Sequence, residues 1–325
     1  AESSSNEVTI TVDALSQGGT ISSSATNVCS GANSGTLTLS GQTGSIVRWE
    51  KSTNNWVSKT NINNTLPSQD YTNLTSTTKY RAILKSGVCS SSSSNELTIT
   101  VDALSVGGTI SSGASNVCSG VNSGTLILSG QTGNVVRWEK SIDNWVSKTI
   151  INNTLPSQDY TNLTETTKYR AILESGVCSS SKSNELTITV DAVSLGGTLN
   201  SSATVCSGTN SDTLFLSGQT GNVVRWEKST DNWVSKINVN NNLAFQDYIN
   251  LAATTKYRAI LKSGVCSEAI SAEVTINVDA ASIGGTLNSS ATVCSGTNSD
   301  TLSLSGQTGN VVRWEKSTNN WLTLT

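Results

Sequence analysis

The chain has 325 residues, a net charge of −3 and only 13% charged side chains, and it contains no His and no Met. Without His there is no Ser-His-Asp or Cys-His nucleophilic system and little prospect of a transition-metal site. The small negative charge gives no electrostatic case for nucleic acid or an anionic membrane, and no apolar run approaches the roughly 18–20 residues that insertion into a bilayer requires.

Taken in chain order, the segments read as short strands separated by turns. Residues 1–13 (AESSSNEVTITVD) match SSSSNELTITVD at 91–102 and read as the last strand of a preceding repeat. Residues 35–40 (GTLTLS) alternate apolar and polar, the signature of a half-buried strand. GQTG at 41–44 is a tight-turn signal. Residues 45–51 form the next strand, with Val47 and Trp49 expected on one face and Ile46, Arg48 and Glu50 on the other. Asn54-Asn55 make a further turn, after which Trp56-Val57 are expected to open a short strand. Residues 79–84 read as a strong strand with Tyr80, Ala82 and Leu84 sharing a face, 85–87 as a turn, and 96–101 as the closing strand. No stretch sustains a 3.6-residue period, so no helix is expected.

Self-similarity sets the architecture. Val-Val-Arg-Trp-Glu-Lys-Ser stands at 135–141, 223–229 and 311–317, with a variant at 46–52. Trp49, Trp138, Trp226 and Trp314 are thus spaced by 89, 88 and 88 residues, and Trp56, Trp145, Trp233 and Trp321 each follow seven residues later. The copies are placed at 14–102, 103–191 and 192–279, with the first half of a fourth at 280–325. About seven short strands in fewer than 90 residues predict an all-β chain of tandem immunoglobulin/fibronectin-III-like β-sandwich repeats strung end to end. Its core would hold Trp49, Trp138, Trp226 and Trp314 together with Tyr80, Tyr169 and Tyr257. Short linkers such as DALSQGG favour limited bending between neighbouring repeats, which are each other's first partners.

The seven cysteines lie at 29, 89, 118, 178, 206, 266 and 294. The simplest pairing is within a repeat: Cys29–Cys89, Cys118–Cys178 and Cys206–Cys266, with the partner of Cys294 outside the sequence given. The rival joins Cys89–Cys118, Cys178–Cys206 and Cys266–Cys294. It asks the closing strand to return on itself, whereas a disulfide needs Cα atoms within about 7 Å. Disulfides of either kind imply an oxidising, extracytoplasmic compartment.

Few residues invite chemistry. Carboxylates recur in every copy at strand and turn positions, no phosphate-binding glycine loop occurs, and neither a catalytic role nor a cofactor is expected. Arg48, Glu50, Arg81 and Lys85 suit cross-strand charge pairing on an exposed sheet face. Trp56, Trp145, Trp233 and Trp321 have two readings, as a cover over the core edge or as a platform on which a sugar ring could stack. Asp13, Asp102, Asp191 and Asp279 at the linkers are too isolated to supply the six or more oxygens that calcium takes.

GGTISS, the VCSG before the second strand, TLTLSGQTGNVVRWEKS, TTKYRAILKSGVCSS and the closing LTITVD resemble the repeats of giant cell-surface adhesins of Bacteroidetes, above all those of flavobacterial gliding motility. The resemblance covers the whole chain. It implies type IX secretion, a filament attached to the outer surface, and a role in gliding and surface attachment. Surface polysaccharide and accessory surface proteins are then the implied partners, with no nucleic acid and no membrane insertion of this segment. It also implies that Asp212-Thr213-Leu214 and Asp300-Thr301-Leu302 could be O-glycosylated, at Thr213 and Thr301. Three functions compete: a stalk segment, a weak carbohydrate-binding module acting by avidity, and a spacer inside a secreted enzyme.

Overall fold

The computed structural model describes residues 1–288 and 290–322, and among them every regular element is a strand. The first copy contains β1 (Thr20–Ser23), β2 (Asn27–Cys29), β3 (Ser34–Ser40), β4 (Ser45–Ser52), β5 (Thr60–Ile62), β6 (Ser68–Thr72), β7 (Thr78–Lys85), β8 (Ser92–Ser93) and β9 (Leu97–Asp102). They form two sheets. One has the order β1-β3-β6, and the other β2-β9-β7-β4-β5 with β8 added on β7. Because side chains alternate across a strand, each sheet presents one apolar face, and the two faces close on each other as a sandwich. Ile21, Leu37, Leu39 and Tyr71 enter the core from the smaller sheet, and Val28, Ile46, Trp49, Tyr80, Ala82, Leu84 and Ile99 from the larger. The tandem β-sandwich expectation therefore holds.

Trp49 is completely buried, and its indole Nε1 donates to the carbonyl of Leu66 at 3.0 Å, so the one polar atom of the ring is satisfied inside the core. Trp138 and Trp226 repeat this on Leu155 and Leu243, also at 3.0 Å. Tyr80, Tyr169 and Tyr257 are buried beside them.

Two local readings need correction. The pairing of β4 with β7 shifts register between Ile46 and Arg48, a β-bulge. The extra residue breaks the alternation, so Ile46 and Trp49 are both buried while Val47 turns outward. Trp56-Val57 open no strand. They belong to a turn, and β5 begins only at Thr60.

The described residues form two compact units, 1–115 with 121–189, and 116–120 with 190–288 and 290–322. In the first, the strands Thr109–Ser112, Ser123–Ser129 and Ser157–Thr161 reproduce the smaller sheet, and Asn134–Ser141 pairs with Thr149–Ile151 and Thr167–Glu174 as β4 pairs with β5 and β7. In the second, the third copy packs Leu214, Leu216, Trp226, Tyr248, Tyr257, Leu261 and Ile276 into an equivalent core. Residues 1–13, expected as the last strand of a preceding repeat, carry no strand. Among the described residues the partial fourth copy has one strand pair, Thr286–Leu287 with Leu304–Ser305. Trp314, expected in a core, is 56% exposed.

Candidate functional site

The residues that distinguish this chain gather where one copy hands over to the next. In the first unit, β2 runs parallel to β9, placing Cys29 directly beside Asp102 at the exit of the first copy. The Asp102 carbonyl accepts a hydrogen bond from Ser30 N at 2.9 Å. From the second copy, the loop at 175–178 folds onto the same residue. Val177 N donates to Asp102 Oδ2 at 3.0 Å, Cys178 Sγ lies 3.5 Å from the Asp102 carbonyl oxygen, and Ser175 N donates to Ser105 Oγ at 3.0 Å. Gly176 is required here. Its φ is +52°, and a Cβ would fall 1.9 Å from the Asp102 carboxylate. Asp102 thus pairs with Cys29 through the strand register and contacts the Cys178 sulfur, and Cys29 and Cys178 are joined with a Cα–Cα distance of 5.0 Å.

The second unit builds the same joint around Asp191. Its carbonyl accepts from Ser119 N at 2.8 Å, and its carboxylate accepts from Val265 N at 3.0 Å. Cys118 and Cys266 are bonded with a Cα–Cα distance of 4.9 Å. Half of the arrangement recurs at Asp13, which caps Val88 N at 3.0 Å beside Cys89, and the other half at Asp279, the register partner of Cys206.

These bridges overturn the expected pairing. Cys29–Cys89, Cys118–Cys178 and Cys206–Cys266 do not form, and neither do the rival pairs. The physical reason is that the two cysteines of one copy lie at opposite ends of it. Cys29 sits with Asp102 at the exit and Cys89 with Asp13 at the entrance, so each can reach only the neighbouring copy. Among the described residues Cys89, Cys206 and Cys294 are not disulfide-bonded, where one unpaired cysteine was expected. Closing a loop of 148 or 149 residues restrains the unfolded chain by about 5 kcal/mol in the chain-entropy model.

The outer face of the larger sheet carries a second repeated cluster. Glu50 is completely buried beneath the side chains of its partners. It accepts from Lys59 Nζ at 2.6 Å, Arg48 Nε at 2.9 Å and Arg81 Nε at 2.8 Å. Burial alone would raise its carboxyl, but the hydrogen bonds from Lys59, Arg48 and Arg81 outweigh it and hold the group at about 2. Glu139 is held at about 2 in the same way by Lys148, Arg170 and Arg137, and Glu227 is lowered by Lys236, Arg258 and Arg225. The expected surface charge pairing is therefore a buried carboxylate under a roof of cations.

The second tryptophan of each copy attaches to this roof. Asn55 (φ +54°) and Trp56 (φ +68°) are the two central residues of a left-handed turn closed by Val57 N on the Asn54 carbonyl at 3.2 Å. Ser52 Oγ accepts from Trp56 N at 2.9 Å and fixes the turn from inside. The Arg81 guanidinium lies 4.2 Å from the centre of the half-buried Trp56 ring, with Arg170 over Trp145 at 3.8 Å and Arg258 over Trp233 at 3.9 Å. One face of each ring is thereby occupied. Trp233 also donates its indole N–H to Glu273 at 2.6 Å, and Lys256 and then Trp233 lower that carboxyl. Trp321, in the partial copy, is 60% exposed.

Thr213 donates its hydroxyl to Asp247 at 2.6 Å, as Thr36 does to Asp70 and Thr125 to Asp159, so this contact does not depend on the preceding Asp212. Thr301 is exposed, with its backbone N–H on Asp300 at 2.7 Å. Among the described residues no three His, Cys, Asp or Glu side chains group as a metal site would need, and no helix is long and apolar enough to cross a membrane. Sequence reasoning placed the linker aspartates but weighed them only as calcium ligands, and it missed their role at the joint together with that of Gly87, Gly176 and Gly264. Their signal was the return of Asp-Ala and Ser-Gly-Val-Cys together in every copy.

Solved tandem domains share a general likeness with the chain. The FN1–FN3 domains of chicken CNTN1 align over 81% of this chain and 98% of theirs, at 11% identity and a TM-score of 0.28. Domains A168–A170 of titin align over 82% and 100%, at 15% identity and a TM-score of 0.35. A Dscam structure described as the basis of isoform specificity aligns over 81% and 73%, at 9% identity and a TM-score of 0.30. No curated protein matches the sequence. One family model, "Domain of unknown function (DUF8696)", matches four times, at residues 17–103, 106–192, 195–280 and 283–325. The chain, repeat by repeat, belongs to the DUF8696 family.

Proposed function

We propose that this chain is a stalk segment of a secreted cell-surface adhesin, acting in attachment and gliding as its resemblance to the flavobacterial repeats implies. One observation carries the reading. Each joint built around Asp102 or Asp191 has two covalent connections, the peptide linker and a disulfide from the previous copy. A chain whose copies only had to be near one another would gain nothing from a second tether, whereas a spacer that holds a distant tip away from a cell gains stiffness from it. The disulfides also favour export to an oxidising compartment, as a surface filament requires. Small-angle scattering of the chain before and after reduction tests the reading. A rod that shortens or becomes flexible on reduction supports it, and a chain equally flexible in both states refutes it.

A second reading, weak polysaccharide binding by every copy, is favoured by the tryptophan turns. A bulky residue at positive φ is costly, and such strain concentrates where function needs a side chain held in one place. Binding of the oxidised chain to immobilised polysaccharides, lost on replacing Trp56, Trp145 and Trp233 together, would establish it.

A further inference from the structure

We infer that the two bridges form an interleaved ladder that caps how far the chain can be stretched and takes most of the first and third repeats off the path of tension. The inference rests on the stalk reading in one respect, that the chain carries tension in use; the ladder itself follows from connectivity. The bridges overlap in sequence. Cys118 lies inside the loop closed by Cys29–Cys178, and Cys178 lies inside the loop closed by Cys118–Cys266. Tension entering at Cys29 crosses to Cys178, leaves residues 30–117 slack and returns along the chain to Cys118, from which it crosses to Cys266.

Between the two chain ends, the shortest covalent route runs to Cys29, across to Cys178, back along the chain to Cys118, across to Cys266 and on to the end. It contains 147 residue steps against 324 for the open chain. Residues 30–117 and 179–265 are off this route. They hold β3 to β9 of the first copy and Asn222–Ser229 and Thr255–Lys262 of the third, so two of the three complete cores are shielded once the route is taut. Pairing within each copy would also bypass most of each core, but it would leave every linker as the single covalent connection between copies. Joining an exit cysteine to the next copy's entrance cysteine lets tension pass from joint to joint.

The test is to pull the full chain by its termini in a single-molecule force spectrometer. The molecule used carries Cys89→Ser, Cys206→Ser and Cys294→Ser, so that free thiols cannot exchange with the bridges. The expected maximum contour is 147 residues without reductant and 324 with it, a gain of about 600 Å at ~3.4 Å per residue. A non-reduced maximum near 264 residues, left by Cys118–Cys178 alone, overturns the inference. So does one near 87, from Cys118–Cys178 nested inside Cys29–Cys266, or one already at 324. The maximum is a covalent quantity, so it can be read even if the triple variant folds less well; because Cys29–Cys118 with Cys178–Cys266 would also give 147 residues, non-reducing peptide mapping of the same molecule must recover Cys29–Cys178 and Cys118–Cys266, and any other linkage overturns the inference. Loss of the cap would remove the ladder and leave the spacer reading to its own scattering test.

Discussion

Replacing Glu50, Glu139 and Glu227 together by Gln removes the buried charge from all three complete copies while keeping the side-chain shape. Each carboxylate is completely buried and accepts from a Lys and two Arg. For Glu50 and Glu139 the carboxyl falls from 4.5 to about 2, which corresponds to about 3 kcal/mol of preference for the ionised form in the folded state. The cations are partly solvated, with side-chain exposures of 42% for Lys59 and 26% for Arg81, so a net loss of about 2 kcal/mol per copy is expected. The sign follows from the lowered carboxyl. Its contribution is complete above the unfolded value near 4.5 and disappears as pH falls towards about 2. Urea unfolding followed by tryptophan fluorescence should show a gap between parent and triple variant at pH 7 that closes steadily from pH 5 to pH 2. A gap below about 0.5 kcal/mol at pH 7, or one that does not narrow in acid, would refute the reasoning.

Three further outcomes are expected. Non-reducing peptide mapping should recover Cys29 linked to Cys178 and Cys118 linked to Cys266, with Cys89, Cys206 and Cys294 open to alkylation; a Cys29–Cys89 peptide would contradict the joint geometry. Gly176→Ala should break the Asp102 contact and cost about 1–3 kcal/mol, seen as a lower melting temperature and as thiol titre appearing at Cys178. Trp145→Gly exchanges a costly positive φ for lost stacking with Arg170, two terms of about 1–2 kcal/mol each, so chemical denaturation should place it within about 1 kcal/mol of the parent.

The strands around the core were readable because period-two alternation and recurring Trp leave little choice of face. The 79–84 strand appears as β7 with Tyr80, Ala82 and Leu84 inward, and 96–101 appears within one residue as β9. Alternation failed in β4, where one inserted residue reversed the expected faces of Ile46 and Val47, and no residue type announces a bulge. The cysteine pairing was hidden for a related reason. It depends on β2, three residues long, which lies parallel to the last strand of its own copy; nothing local in Asn27–Cys29 specifies a partner seventy-three residues away. Glu50 read as a surface charge because burial by the long side chains of three cations leaves no apolar signature around it.

The parallel pairing of β2 with β9 has a consequence for how such a gene can change. The second copy supplies one cysteine to the copy after it and accepts one from the copy before it, and the first and third copies each make one of these bonds at the same positions. Recombination between near-identical repeats that adds or removes a whole copy therefore adds or removes one donor and one acceptor, and every interior bond is re-formed with a new neighbour. Copy number can drift without stranding a thiol inside the array, which bonds confined to a repeat would also permit, but here each inherited length is also sealed, joint by joint, into a single covalent body.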